Sequence, residues 1–269
     1  MTPDRCDGIV LAAGAGTRYG MPKVLAEGGA WLGSAVHALR AGGCARVFVV
    51  LGATGPAHRL SNGSWVVSEE SGIALPAGTR PVWARDWAVG VSASMRAGLA
   101  AAAAVPALES RRVGGDADPL LPATDAGSAT DAAPSGRSGE SLVFAVGNSS
   151  TGTSTVGITS AGNSREGNGG PAGFVAIMPV DTPDVGPEVV ARVIAGARDS
   201  PSGLARAVFG RMPGHPVVLG RAHWAGVSAA AAGNSGAGTY LRQRADMVCV
   251  TCDDLATGMD QDYPTGGAR

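Results

Sequence analysis

Gly14, Gly16, Arg18, Gly20 and Lys23 carry the strongest chemical signal in the chain. They follow an apolar run, Ile9-Val10-Leu11-Ala12-Ala13, of the length and type of a buried strand. Glycines let the backbone turn tightly and bring N–H groups against a ligand, forming a concavity suited to anions. Arg18 adds a planar fork of donors and Lys23 a compact charge, both good partners for phosphate. The spacing predicts a triphosphate cradle directly after the first strand. Lys23 is also the sole lysine of the chain, so its one ammonium group falls in this loop. An ammonium on a flexible stem is not interchangeable with a guanidinium.

A second candidate lies far along the chain, where the apolar run of residues 173–180 leads into Asp181-Thr182-Pro183. In open α/β sheets the carboxyl ends of strands face the ligand crevice. A carboxylate there, facing a glycine-rich phosphate loop, is placed to hold Mg²⁺. Asp184 is available to cap a helix over 187–197.

The elements that must position these groups read as an α/β chain. Residues 31–42 carry apolar side chains at helical spacing and stop at Gly42-Gly43. Residues 46–51 (RVFVVL) form a second buried strand, and strand, helix, strand at this spacing is a βαβ unit, which implies a parallel sheet. A short strand is predicted at 64–68, paired with Val82-Trp83. Ser92 or Ser94 is a candidate cap for an alanine-rich helix running to about Ala104. Further strands are predicted at 206–209 and 247–251. His37, alone on its helix, reads as a packing or surface residue.

Two familiar phosphate loops fail here. A Walker loop needs Gly-Lys followed by Ser or Thr, and the chain has no such triplet. The dinucleotide fingerprint G-x-G-x-x-G fails because the third glycine is one place late, and the second strand ends without a carboxylate. The segment Leu11-Ala12-Ala13-Gly14-Ala15-Gly16-Thr17-Arg18-Tyr19-Gly20-Met21-Pro22-Lys23 instead fits L-A-(A/G)-G-x-(G/S)-x-R-x-G-x-x-K at every fixed position. It resembles the loop of MobA-like NTP transferases, and Ala13 makes it similar to the MocA-type molybdenum cofactor cytidylyltransferase branch.

The resemblance implies a three-layer, Rossmann-like nucleotidyltransferase fold with a mostly parallel central sheet. It implies that Leu11, Ala12, Ala13, Gly14 and Gly16 bind the nucleotide, and that Arg18, Lys23 and Asp181 are catalytic. Trp87, Gly90, Ser94, Met95, Gly98 and Leu99 are similar to the family block W-x-x-G-x-x-x-S-(L/M)-x-x-G-L, which implies that Gly90 and Ser94 lie near the base or triphosphate. The aspartate of the family's D-x-P binds the catalytic metal, a role carried to Asp181. Residues 258–264 resemble D-x-D-T-P, which implies that Asp260, with Asp262 as the alternative, completes the metal site. Gly214-His215-Pro216-Val217 is similar to a G-H-P-(V/I) block in the acceptor half, implying a substrate contact for His215. Asn234 and Gly238 stand where the family often has aspartate and arginine.

The implied reaction is transfer of a nucleoside monophosphate, CMP from CTP rather than GMP from GTP, to a phosphorylated acceptor such as molybdopterin, releasing pyrophosphate with Mg²⁺ as cofactor. A molybdoenzyme is a further implied partner. The alternatives are an NAD(P)H- and flavin-dependent reductase of the nicotine blue oxidoreductase type, and a non-catalytic accessory protein of molybdenum enzymes.

A net charge of -1 and a pI near 6.4 give no electrostatic footprint for nucleic acid or an anionic membrane. The sequence shows no membrane span and no signal peptide, so the expected location is cytoplasmic. Cys249 and Cys252 have C-x-x-C spacing, but no second pair or nearby histidine completes a zinc site. Residues 106–171 are dominated by small and polar residues without periodicity, which predicts a flexible insertion in one domain spanning 1–269. Within it, only residues 142–146 suggest a short strand.

Overall fold

Apolar runs that must be covered on both faces become the central strands of the fold. The computed structural model describes residues 4–104 and 171–263. The sequence-predicted insertion, with its apolar residues 142–146, lies outside the described residues except for Pro171. In chain order the elements are β1 (Cys6–Ala12), α1 (Ala30–Ala41), β2 (Cys44–Leu51), β3 (His58–Arg59), β4 (Trp65–Val66), β5 (Arg80–Trp83) and α2 (Val91–Ala103). After residue 171 come β6 (Phe174–Pro179), α3 (Pro187–Asp199), β7 (Leu204–Phe209), β8 (Met212–Gly220), α4 (Trp224–Ala230), α5 (Gly238–Leu241) and β9 (Val248–Thr251).

Seven strands form one sheet in the order β5-β2-β1-β6-β8-β7-β9. Only β8 runs against its neighbours; the β5, β2, β1 and β6 contacts and the β7–β9 contact are all parallel. Alternate side chains of each strand serve opposite faces. On one face Val10, Val49 and Met178 pack with Leu32, Val36 and Leu39 of α1 and Val190, Val193 and Ile194 of α3. On the other Ile9, Val50, Ile177 and Val217 pack with Met95 and Leu99 of α2, Trp224 and Val227 of α4 and Leu241 of α5. The result is the expected three-layer α/β architecture with a mostly parallel sheet.

The central strands carry one buried charge. Asp7 on β1 is fully buried and accepts hydrogen bonds from Nε of Arg46 on β2 at 3.2 and 3.1 Å. A buried carboxylate is tolerable only when paired in this way. It lies at the start of β1, the end away from the glycine loop.

Three local expectations are corrected. The strand expected at 64–68 shrinks to β4, which pairs antiparallel with β3, whereas β5, containing Val82-Trp83, joins β2 in the main sheet. Neither Ser92 nor Ser94 caps α2; the helix begins at Val91 behind Gly90, with no side-chain cap, and both serines are buried in its first turns. Asp184 does not cap α3, whose N-cap is Gly186 with Pro187 at the first helical position, where a missing N–H costs nothing. Asp184 instead accepts hydrogen bonds from Thr257 N (2.7 Å), Thr257 Oγ1 (2.6 Å) and Gly258 N (3.1 Å). Those bonds fasten the C-terminal segment to the end of β6.

Candidate active site

The carboxyl ends of β1 and β6 open into a cavity of about 730 Å³. The loop after β1 forms one wall, and its shape depends on Gly16. That residue sits at φ +61, and a Cβ there would overlap the carbonyl oxygen of Met21. Only glycine meets both demands at no steric cost. Gly20 N donates to Gly16 O at 2.8 Å and closes the turn. Tyr19, nearly buried, stacks its ring at 5.1 Å from Trp31 of α1, which ties the loop to the scaffold. Lys23 opens the short helical segment Lys23–Gly29 that leads into α1.

Lys23 connects the two halves of the sequence. Its Nζ donates to Asp181 Oδ2 at 2.7 Å and to Asp262 Oδ1 at 2.8 Å. Arg18 Nη1 donates to the other Asp262 oxygen at 2.8 Å, but the Arg18 side chain is 70% exposed and held only at its tip. Burial alone would pull the Lys23 ammonium down; the hydrogen bonds and charges of the two aspartates outweigh it and hold the group above its ordinary value. The hydrogen bond from Lys23, together with the nearby charges of Lys23 and Arg18, holds Asp262 below the usual carboxylate range.

Asp181 Oδ1, the oxygen that Lys23 does not use, is buried and has no hydrogen-bond partner among the described residues. Asp260 is raised above the usual carboxylate range, first by burial and then by the charge of Asp181. Two carboxylates that repel each other, one with an orphaned oxygen, have the donor set that a hard divalent cation takes. No group of three or more His, Cys, Asp or Glu side chains among the described residues could enclose a metal by itself. A hard divalent cation that keeps waters and substrate phosphates among its ligands needs only one or two carboxylates. Gln261 N donates to Asp181 O at 2.9 Å, which seats the C-terminal segment beside the end of β6.

Of the sequence-predicted residues, Leu11, Ala12, Ala13, Gly14, Gly16, Arg18, Lys23, Ser94, Asp181, His215 and Asp260 all line the cavity. Asp262, the alternative to Asp260, lines it too, so both acids of the tail face the site. Gly90 is the one that does not. It stands behind the wall at φ +121, where a Cβ would come within 2.5 Å of Asn234 Oδ1 and of Gly233 O. Its geometry lets the loop at 231–235 close on α2, and Ser92 N donates to Gly233 O at 3.0 Å. Asn234 and Gly238 also line the cavity.

Sequence reasoning missed Arg206. It lies on β7, opposite Val217 of β8, which in turn lies opposite Ile177 of β6, and all of them line the cavity. The signal was the strand LARAVF itself, since alternation places Arg206 on the face of buried Leu204. A charged residue on a buried face is worth a question even inside a convincing strand.

A parallel-dominated sheet with a glycine loop after β1 and an aspartate after β6 defines a nucleotide-handling α/β protein. A sequence profile described as the MobA-like NTP transferase domain matches residues 8–248, and the chain belongs to that family. This places it among the nucleotidyltransferases. No curated protein matched the chain. Among solved structures, Rv0371c from Mycobacterium tuberculosis H37Rv aligns with a TM-score of 0.57 at 17% identity, covering 98% of this chain and 95% of that one. The same protein in complex with manganese aligns at 0.51 and 16%, covering 98% and 94%. A nucleotidyl transferase from Methanothermobacter aligns at 0.51 and 16%, covering 96% and 92%. At these identities the likeness is one of fold. No helix among the described residues is long and apolar enough to cross a membrane.

Proposed function

We propose that the protein transfers CMP from CTP to a phosphorylated acceptor of the molybdopterin type, releasing pyrophosphate. The observation that carries this reading is the chain's sole lysine, held between Asp181 and Asp262 inside a cavity floored by the glycine loop. Such a reaction asks a protein mainly for positioning and charge neutralisation. The loop N–H groups, Arg18 and Lys23 bind the triphosphate and stabilise charge developing on the pyrophosphate. Asp262 occupies both cations in the nucleotide-free protein and gives them up to phosphate oxygens. Asp181 Oδ1 and the Asp260 carboxylate would hold Mg²⁺, which supplies Lewis-acid neutralisation of the phosphate oxygens when bound. Nucleotidyltransferases in general use divalent metals, and the manganese complex of Rv0371c is one case of a related fold with such an ion. CTP is preferred over GTP because Ala13 stands where the guanylyl branch has a second glycine. Ser94 would contact the nucleotide, and His215 the acceptor.

The test is Mg²⁺-dependent pyrophosphate release from CTP or GTP with a molybdopterin-containing acceptor fraction. Release with CTP, abolished by chelator, is the expected result. Release with GTP alone would replace the base assignment. No release, together with NADPH oxidation in the presence of FMN, would replace the reaction class by a reductase. Silence in both would leave a non-catalytic accessory protein.

A further inference from the structure

Arg206 is a half-buried cation on the cavity wall with no counter-charge among the described residues. Among the described residues its Nε is buried without a hydrogen-bond partner, and the one bond its side chain makes is from Nη2 to the backbone oxygen of Gly214, at 3.3 Å. It forms no ion pair among the described residues, and its partner across the β7–β9 ladder is Cys249, a thiol. Removing a guanidinium from water without a carboxylate is unfavourable. Burial accordingly pulls Arg206 below the ordinary arginine value. A protein keeps such a group where a ligand supplies the missing charge.

The neighbour on the cavity wall is His215, whose Nδ1 lies 3.4 Å from the carbonyl oxygen of Ile177. Facing a carbonyl, Nδ1 must carry the proton, which leaves Nε2 as an acceptor without a protein partner among the described residues. Burial, reinforced by Arg206 and opposed by that hydrogen bond and by the charge of Asp181, holds His215 below its usual value, so the ring is neutral near pH 7. The pair therefore offers one fixed positive charge and one lone pair. A monoprotonated phosphate ester matches both: its oxyanions take the guanidinium fork and its P–OH donates to Nε2. The triphosphate cradle is elsewhere on the sheet. β7 is separated from β6, the strand leading to Asp181, by β8, and from β1 by both β8 and β6. At about 4.8 Å per strand the Arg206 strand stands roughly 10 and 14 Å from them, while His215, on β8, lies next to β6.

We propose that Arg206 and His215 form a second anion socket in the cavity, separate from the glycine-loop cradle, and that it takes the phosphate of the acceptor. Naming the ligand as the acceptor rests on the nucleotidyl-transfer reading; the socket itself does not. Inorganic phosphate and, in parallel, acetate would be titrated calorimetrically into the full-length wild type, Arg206→Met, Arg206→Lys and Lys23→Met. Wild type should bind phosphate more tightly than acetate, Lys23→Met, which removes a cation from the cradle, should keep that preference, Arg206→Met should bind at least about tenfold more weakly, and Arg206→Lys should fall between, as expected for a charge-assisted hydrogen bond. Undiminished binding in Arg206→Met, absence of binding in the wild type, or tighter binding of acetate would overturn the proposal. Without phosphate, Arg206→Met should melt at or above the wild-type temperature, since an unpaired, half-buried charge has been removed. A clear fall would make Arg206 a structural residue and also overturn it. Titration of Mg-CTP and Mg-GTP into the wild type tests the nucleotide reading separately: no binding there would sink that reading and leave an Arg206-dependent phosphate response intact.

Discussion

At the scale of single residues, Lys23 does two jobs that can be separated. In the proposed reaction it is a phosphate partner in the loop, and in the structure it neutralises Asp181 and Asp262 at 2.7 and 2.8 Å. Lys23→Met should lower turnover by about 10²–10³, the range seen when one preorganised donor is lost. The metal-free variant should also lose roughly 1–3 kcal/mol, because carboxylates that remain partly buried lose their counter-charge. Mg²⁺ should restore much of that loss, which distinguishes charge repulsion from damaged packing; melting curves with and without the ion measure it. His215 gives a prediction in pH. Its folded value is depressed below 6.5 by burial, so the unfolded chain binds the proton more readily between the two values. Its contribution to stability is complete above pH 6.5 and is lost as pH falls through the folded value. His215→Gln should flatten that part of the stability profile and leave the alkaline part unchanged. That Lys23 and Asp181 would face one another was legible in the sequence because residue type and local spacing place both at strand ends. Arg206 was not, since its significance lies in what fails to face it, and no sequence pattern records a missing partner.

At the scale of elements, the C-terminal segment depends on a tether. Asp184, just past the end of β6, accepts three hydrogen bonds from Thr257 and Gly258 and so sets where Asp260 and Asp262 stand. Asp184→Ala should lower turnover by about tenfold or more and raise the Mg²⁺ concentration needed for half-maximal activity, by loosening supports of the kind that orient ligands in metal sites. Asp184→Asn retains one acceptor oxygen and should recover part of both. Faster amide exchange at Gln261 in the alanine variant would locate the effect in the tail; unchanged exchange there would remove the tether argument. Gly90→Ala tests a different support. At φ +121 and pressed against Gly233, an added Cβ should cost roughly 1–3 kcal/mol and disturb the 231–235 loop. The loss should appear first as a lower melting temperature. Most of the long strands and helices were readable because apolar runs and helical spacing extend over whole elements. β3 was not, because two residues carry no period, and the strand expected at 64–68 shrank to β4, paired with β3 instead of Val82-Trp83. The start of α2 was misread for a related reason: the serines looked like caps, while the loop packed on Gly90 decides where the helix begins, and that loop is over a hundred residues away in sequence.

At the scale of the whole molecule, the sheet order brings residues from both ends of the chain to one cavity. β1 and β6 are neighbours, so the loop at 14–23 meets the aspartate at 181, and the tail at 260–262 returns beside both. The resemblance anticipated that convergence; the bottom-up reading alone could place the first two but had no physical reason to bring back a polar tail. With a net charge of only -1, the chain does not attract an anionic nucleotide by its overall field, so the local balance of charge decides binding. That balance is unfavourable to either ligand alone. In the proposed site a triphosphate without metal would meet Asp181, Asp260 and Asp262, and a divalent cation without nucleotide would find only two carboxylate oxygens suited to it. Bound together, each supplies the charge that the other lacks. The stabilisation by Mg²⁺ and nucleotide added jointly should therefore exceed the sum of their separate effects. At a hundred times the dissociation constant the joint ligand should add about 2.7 kcal/mol, a shift of a few degrees in a domain of this size. In Asp181→Asn the protein should bind metal-free nucleotide better than wild type does and gain little from Mg²⁺. Melting curves across the four combinations of metal and nucleotide read both effects, and simple additivity in the wild type would show that the two carboxylates do not serve a shared metal–triphosphate site.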